Sequence, residues 1–189
     1  MEYENSTALK GKLLIAMPGM TDPNFHRSVI CISEHNTDGA VGIVINNIHP
    51  VLSAKMIFKE LDVDYVAGAD NHQVYIGGPV HINEIFILHG PPFKSVQTLM
   101  INAELAMSNS IDIIKDIALE KGPESYIISL GCAGWGPGQL EKELLANYWL
   151  TSPYSKDILF DISVEERWEE SIRKIGVDPL LLSNTAGHA

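Results

Sequence analysis

Positive charge is scarce in this chain. Lysine and arginine together number 13 against 24 aspartates and glutamates, a formal net charge of −11. Both halves of the sequence are acidic, so no basic stripe is available to neutralise a nucleic-acid backbone. Direct nucleic-acid binding is therefore disfavoured, and so is an anionic membrane surface. Cysteine is nearly missing: Cys31 and Cys132 are the only two in 189 residues, with no CxxC and no zinc spacing. Two such cysteines do not make a disulfide framework, which points to a reducing compartment. Long apolar runs are also lacking, and none approaches the ~20 residues of a membrane helix. The opening MEYENSTALKGK is polar and acidic, unlike a secretory or transit segment. A soluble cytoplasmic protein is expected. Without repeats, low-complexity tracts or long linkers, residues 1–189 read as one domain.

What is present is a series of short apolar runs punctuated by turn formers. Residues 1–8 read as a loose arm or short lead-in helix. Lys12–Met17 reads as a buried strand ended by Pro18-Gly19. Ser28–Ser33 and Ala40–Asn46 flank Asp38-Gly39 and predict a hairpin, with Gly42 marking a bulge or a close neighbour. Ser53 caps a predicted helix to about Leu61 with Met56, Ile57 and Leu61 inward. Gln73–Gly78 and Glu84–Gly90 predict a second strand pair. Residues 96–108 read as two short strands or an irregular arm.

Ser110 opens a helix with Ile111, Ile114, Ile117 and Ala118 on one face, stopped by Gly122-Pro123. Ser125–Leu130 is an apolar strand. From Pro137 the spacing is helical again, with Leu140, Leu144, Leu145 and Tyr148 inward. Asp157–Ile162 reads as a last strand. Ser163 and Glu166 then form a capping box before a helix striped by Val164, Trp168, Ile172 and Ile175. Hairpins early and helices late indicate an α+β fold.

The stretch GCAGWGPG, Gly131 to Gly138, resembles several enzyme motifs and satisfies none. Gly131 and Gly136 have the phosphate-loop spacing, but Pro137-Gly138 stands where Lys-Ser/Thr must meet phosphate and magnesium. The glycines do not fit GxGxxG, and Leu130 occupies one glycine position of a nucleophile elbow around Cys132. What remains is a strand-to-helix turn. Its amides suit an anion or carboxylate; equally, its glycines suit close packing of helix on sheet.

Other candidates carry similar alternatives. Cys132 at a helix start is either an acidified thiol or a small buried hydrophobe. Trp135 either stacks on a ligand or covers the core edge. Arg27, the only arginine before Arg167, is either a bidentate clamp for carboxylate or phosphate, or the partner of Asp22 or another acid. Gly77-Gly78-Pro79 is a tight turn or ligand-facing backbone. Histidines 26, 35, 49, 72, 81, 89 and 188 make no HxxxH, HExxH or Cys/His spacing, so no metal site is expected.

Four blocks together resemble a known family: LLIAMPGMTDPNFHRSVI (13–30), DGAVGIVIN (38–46), YIGGPV (75–80) and SLGCAGWGPGQLEKELLANYWL (129–150), with Arg167-Trp168 and GHA (187–189) towards the end. The order and spacing are those of the AlgH/YqgE family of bacterial proteins. The resemblance implies a bifurcated mixed β-sheet curled into a pseudo-barrel, with helices packed outside. It implies no agreed reaction, cofactor or catalytic residue, although the family name carries a regulator of alginate production. Where that family has Asn-Arg-Pro, this chain has Asn46-Asn47-Ile48, without the arginine.

The function expected is that of a non-enzymatic binding or regulatory protein without a cofactor, its partner a small molecule or a protein. The ligand-facing residues would be Arg27, Gly77, Gly78, Gly131, Cys132, Gly134, Trp135 and Gly136, in a groove shared with the Pro18-Gly19 turn. The alternative is a thiol-dependent enzyme or redox sensor using Cys132.

Overall fold

The computed structural model describes residues 9–93 and 98–182. The lead-in arm (1–8), the start of the predicted 96–108 arm, His188 and the final GHA lie outside the described residues. Among the described residues, ten strands form one branched sheet. They are β1 (Leu13–Ala16), β2 (Val29–Asn36), β3 (Gly39–Val44), β4 (Ile48–Ser53), β5 (Gln73–Ile76), β6 (Val80–His89), β7 (Thr98–Met100), β8 (Ala106–Ser108), β9 (Tyr126–Trp135) and β10 (Trp149–Ser152). Four helices accompany them: α1 (Ala54–Glu60), α2 (Ile111–Ala118), α3 (Gln139–Leu145) and α4 (Arg167–Lys174).

The main path runs β10-β1-β2-β3-β9-β6-β8-β7, and β4 and β5 branch from it. β9 is the fork. Its first half lies between β6, antiparallel, and β5, parallel; its second half pairs with β3. The fold is α+β, a bifurcated mixed sheet curled into a half-closed barrel, with α1, α2 and α3 packed on other clusters and α4 against the inner one.

Strands buried on both faces read as continuous apolar runs, and the alternation here shows why. Leu13, Ile15, Val29, Cys31, Ile43 and Ile45 point into an inner cluster closed by Trp168 and Ile172 of α4. Their neighbours Leu14, Ala16, Ile30, Ile32 and Val44 face the opposite side, under Leu140 of α3. Further along, Ile87 and Ile128 face a third cluster with Ile57 and Phe58 of α1 and Ile113, Ile114 and Ile117 of α2.

The predicted hairpin forms, tighter than expected: strand pairing reaches Asn36 opposite Gly39, and Asn36 Oδ1 accepts the Asp38 amide at 2.7 Å. The bulge falls on the partner strand, between Ile32 and Glu34, opposite Gly42 and Val41.

Several expectations are corrected. Asp157–Asp161 is a π-helical turn, not a strand; a run as short as Ile158-Leu159-Phe160 carries no usable period. Residues 131–135 continue β9, so the strand-to-helix turn shrinks to Gly136–Gly138. Leu145 is 84% exposed and Tyr148 41%, because α3 ends at Leu145 and β10 begins at Trp149. Met56 and Ile111 also face outward, and Ile113 takes the inward place on α2. Ser163 bonds the Glu166 side chain, but α4 starts only at Arg167, beyond that box. Strands β4 and β10 were not anticipated.

Candidate functional site

The loop between β1 and β2 presents an organised polar surface. Asp22 accepts the Asn24 amide at 2.9 Å, which with Pro23 sets a 3-10 turn over Pro23–Phe25. Phe25 anchors that turn on the rings of Trp135 and Trp149. The chain then passes through Arg27 at φ 51, a left-handed conformation uncommon outside glycine. Asn46, just past β3, holds it there. Its Oδ1 accepts the Val29 amide at 2.8 Å and its Nδ2 donates to the Arg27 carbonyl at 2.8 Å.

So fixed, the Arg27 guanidinium lies 4.2 Å from the ring centre of Trp168 and donates to Glu169 Oε1 at 2.9 Å. The Trp168 ring is buried, and its indole N–H donates to the Ala16 carbonyl at 2.8 Å. Glu169 is shared with Arg173, which reaches Oε2 at 3.0 Å. Arg27 and Glu169 remain 47% and 41% exposed. A guanidinium carries five N–H donors in a fork matched to carboxylate and phosphate. One Arg27 nitrogen is committed to Glu169, and the group stays open to solvent.

Beneath this surface Arg167 is buried and donates to the carbonyls of Ile162, at 3.1 Å, and Ile45. Its guanidinium sits 5.6 Å from the Tyr75 ring centre. Among the described residues no carboxylate pairs with it. Arg167 thus ties the start of α4 to the end of β3.

The glycines of the predicted groove gather at the fork of the sheet. Gly77 donates to the Leu130 carbonyl and accepts from Val44, joining β3 to β9 where β5 ends. A Cβ on Gly77 would lie 2.0 Å from Ser129 Oγ and 2.2 Å from the Gly131 carbonyl oxygen. One on Gly131, at φ 73, would lie 2.6 Å from the Gly78 carbonyl oxygen. Here backbone meets backbone, and Gly77, Gly78, Gly131 and Cys132 are all buried. Gly134 and Gly136 are exposed. Arg27 is placed with Trp168 and Glu169, and the Met17–Met20 turn is tied to Tyr148 by the Met17 amide.

The pattern of the AlgH-like family matches residues 13–180. The chain belongs to that family. It is 43% identical to a UPF0301 protein of Desulforapulum autotrophicum over 189 residues, covering 100% of both chains. A UPF0301 protein of Paracoccus denitrificans is 41% identical over 189 residues, covering 98% of this chain and 100% of its own. Among solved structures, the AlgH protein from Pseudomonas aeruginosa superposes with a TM-score of 0.79 at 43% identity, covering both chains fully. A Corynebacterium diphtheriae protein at 22% identity and a TM-score of 0.71 shares the fold, with 95% and 92% covered.

In this AlgH-like chain the thiols sit deep. Cys132 is 3% exposed, and burial, with the Glu84 charge second, raises its pKa. Burial pushes the Cys31 thiol up to about 12. Both environments favour the thiol over the nucleophilic thiolate.

Two polar networks escaped the sequence reading. Trp135 is buried, and its N–H, like that of Trp149, donates to Glu143 Oε2. At the end of β6, His89 Nδ1 donates to the Gly90 carbonyl at 2.7 Å. Its Nε2 is then the acceptor for Ser108 Oγ at 3.0 Å, and Thr98 bonds Ser108 at 2.8 Å. Desolvation lowers the His89 pKa, with the Gly90 bond opposing. This has the order of a Ser-His pair, but Ser108 and His89 are each 1% exposed, so the contact cross-links β6 and β8 out of a substrate's reach. Among the described residues no group of three or more His, Cys, Asp or Glu is placed to hold a metal ion, and no helix is long and apolar enough to cross a membrane.

Proposed function

We propose that this AlgH-like chain is a non-enzymatic binding protein whose ligand presents a carboxylate or phosphate to Arg27. The observation that carries the reading is the half-exposed guanidinium, stacked on Trp168 and locked in a left-handed backbone by Asn46. Backbone strain of this kind is kept where the surroundings over-determine it, and it aims a side chain. Preorganised Arg donors bind planar anions bidentately. In this reading the buried Gly77, Gly78, Gly131, Cys132 and Trp135, and the exposed Gly134 and Gly136, serve as framework and not as ligand contacts. A regulatory role would then act through a small anionic molecule or an acidic segment of a partner protein. The acidic charge and the two buried thiols suit the cytoplasm and no direct contact with DNA.

A thermal-shift panel of carboxylate and phosphate metabolites tests this. A ligand at about 100 times its Kd adds about 2.7 kcal/mol and raises Tm by several degrees. The rise should vanish in Arg27→Gln and be weakened in Arg27→Lys, which keeps the charge but not the fork. A hit whose shift is unchanged in Arg27→Gln binds elsewhere and counts against the reading.

A further inference from the structure

A cleft whose lining holds one acidic side chain and no basic one lies between β6, the end of α1 and the start of α2. The register of β6 on β9 slips between Val80, opposite Cys132, and Ile85, opposite Leu130. The intervening β6 residues outnumber those of β9 and are displaced from the ladder. His81 takes φ 50 within the displaced stretch, and His81, Ile82, Asn83 and Glu84 are all exposed. Bulges of this kind re-aim side chains. Asn83 and Glu84 are thereby carried to the wall of a cleft of ≈ 220 Å³, which Asn109 and Ile111 at the start of α2 also line. Its remaining walls are apolar, chiefly Ile85 and Ile114.

No lysine, arginine or histidine lines this cleft among the described residues. Glu84 is its one charged group, and its Oε1 accepts from His81 Nδ1 at 2.9 Å. Asn83 and Asn109 add two amide oxygens. The volume falls below the roughly 300 Å³ at which drug-sized pockets begin, so the ligand is small. We propose that the cleft binds a small organic cation with an apolar tail, an alkylammonium. The ammonium meets Glu84 and the two amide oxygens, and the chain lies on Ile85, Ile111 and Ile114. The acidic net charge raises the local concentration of such cations, and Glu84 repels carboxylates.

The test is an NMR titration of the full, ¹⁵N-labelled chain with hexylammonium, with hexanoate and hexan-1-ol as controls. Hexylammonium should shift the amides of Asn83, Glu84, Asn109 and Ile111 saturably, and hexanoate should not. Glu84→Gln, isosteric and exposed, should weaken hexylammonium about tenfold and leave hexan-1-ol unaffected. Ile111→Gln should weaken both. The proposal is overturned if hexanoate binds as well as hexylammonium, if Glu84→Gln changes nothing, or if no shift appears at these residues.

Discussion

Trp135 and Trp149 share one acceptor: both indole N–H groups donate to Oε2 of Glu143, each at 2.8 Å. Their rings meet edge to face at 6.0 Å, and Phe25 contacts both. Glu143 Oε1 takes the Gln139 side chain at 2.9 Å, and Gln139 Oε1 accepts the Gly136 amide at 3.0 Å. A two-turn helix with Leu140 as its buried anchor is thus held to the sheet by a carboxylate.

Glu143→Ala would leave two indole donors without a partner. A loss of about 2–4 kcal/mol is expected, with Glu143→Gln milder because an amide oxygen still accepts. Urea unfolding followed by tryptophan fluorescence measures it. Equal stability of Glu143→Ala and the wild type would show that water satisfies both indoles.

The fork of the sheet makes a sharp comparison between glycines. Gly77→Ala sets a Cβ against Ser129 Oγ and the Gly131 carbonyl and should cost more than about 3 kcal/mol or prevent folding. Gly138 has φ 68 but nothing within 4 Å of an added Cβ. Gly138→Ala should lose only about 1 kcal/mol, from the backbone strain alone. Thermal melts of the two variants decide, and similar losses would refute the packing explanation.

Acid stability carries one assignable contribution. Lys174 and Ser155 bonded to its side chain hold the Asp157 carboxyl down to about 2. A depressed carboxylate stabilises the fold fully above its unfolded pKa of about 3.9. That contribution is lost as pH falls from about 4 through about 2. Asp157 is 47% exposed, so screening leaves it about 0.5 kcal/mol. In Asp157→Asn the wild-type advantage at pH 6 should shrink towards zero at pH 2 in paired urea titrations. An advantage that persists at pH 2 would implicate packing and not charge.

Cys31 and Cys132 should both resist iodoacetamide at pH 8 while the chain is folded and react once urea unfolds it. Mass spectrometry of the alkylated chain reads this directly. Rapid labelling of Cys132 in the native protein would revive a thiol-based activity.

Much of the scaffold was legible because local chemistry coincided with tertiary need. Asp38-Gly39 lies between two β-rich runs, so the hairpin followed from turn preference alone. Trp168 and Ile172 at helical spacing identified the buried face of α4. The branched sheet was legible only through the family resemblance, since nothing local in Gln73–Ile76 requires β5 to run parallel to β9. Asp157–Asp161 reads as a strand because the apolar run Ile158-Leu159-Phe160 is too short for its period to tell a strand from a helical turn. Arg27 was singled out, but its partner Glu169 lies 142 positions away and Asn46 19 away. No local pattern joins such residues; only the curl of the sheet does.

The central claim is that Arg27 is an anion-recognition group. Its most direct test is an NMR titration with citrate at low ionic strength, following the Arg27 Nε–H and Trp168 Nε1–H resonances. Both should shift together and saturate, ahead of Arg173, because a ligand on the guanidinium perturbs the indole beneath it. No shift at Arg27, or a shift equal to that of Arg173 and the surface lysines, would contradict the account.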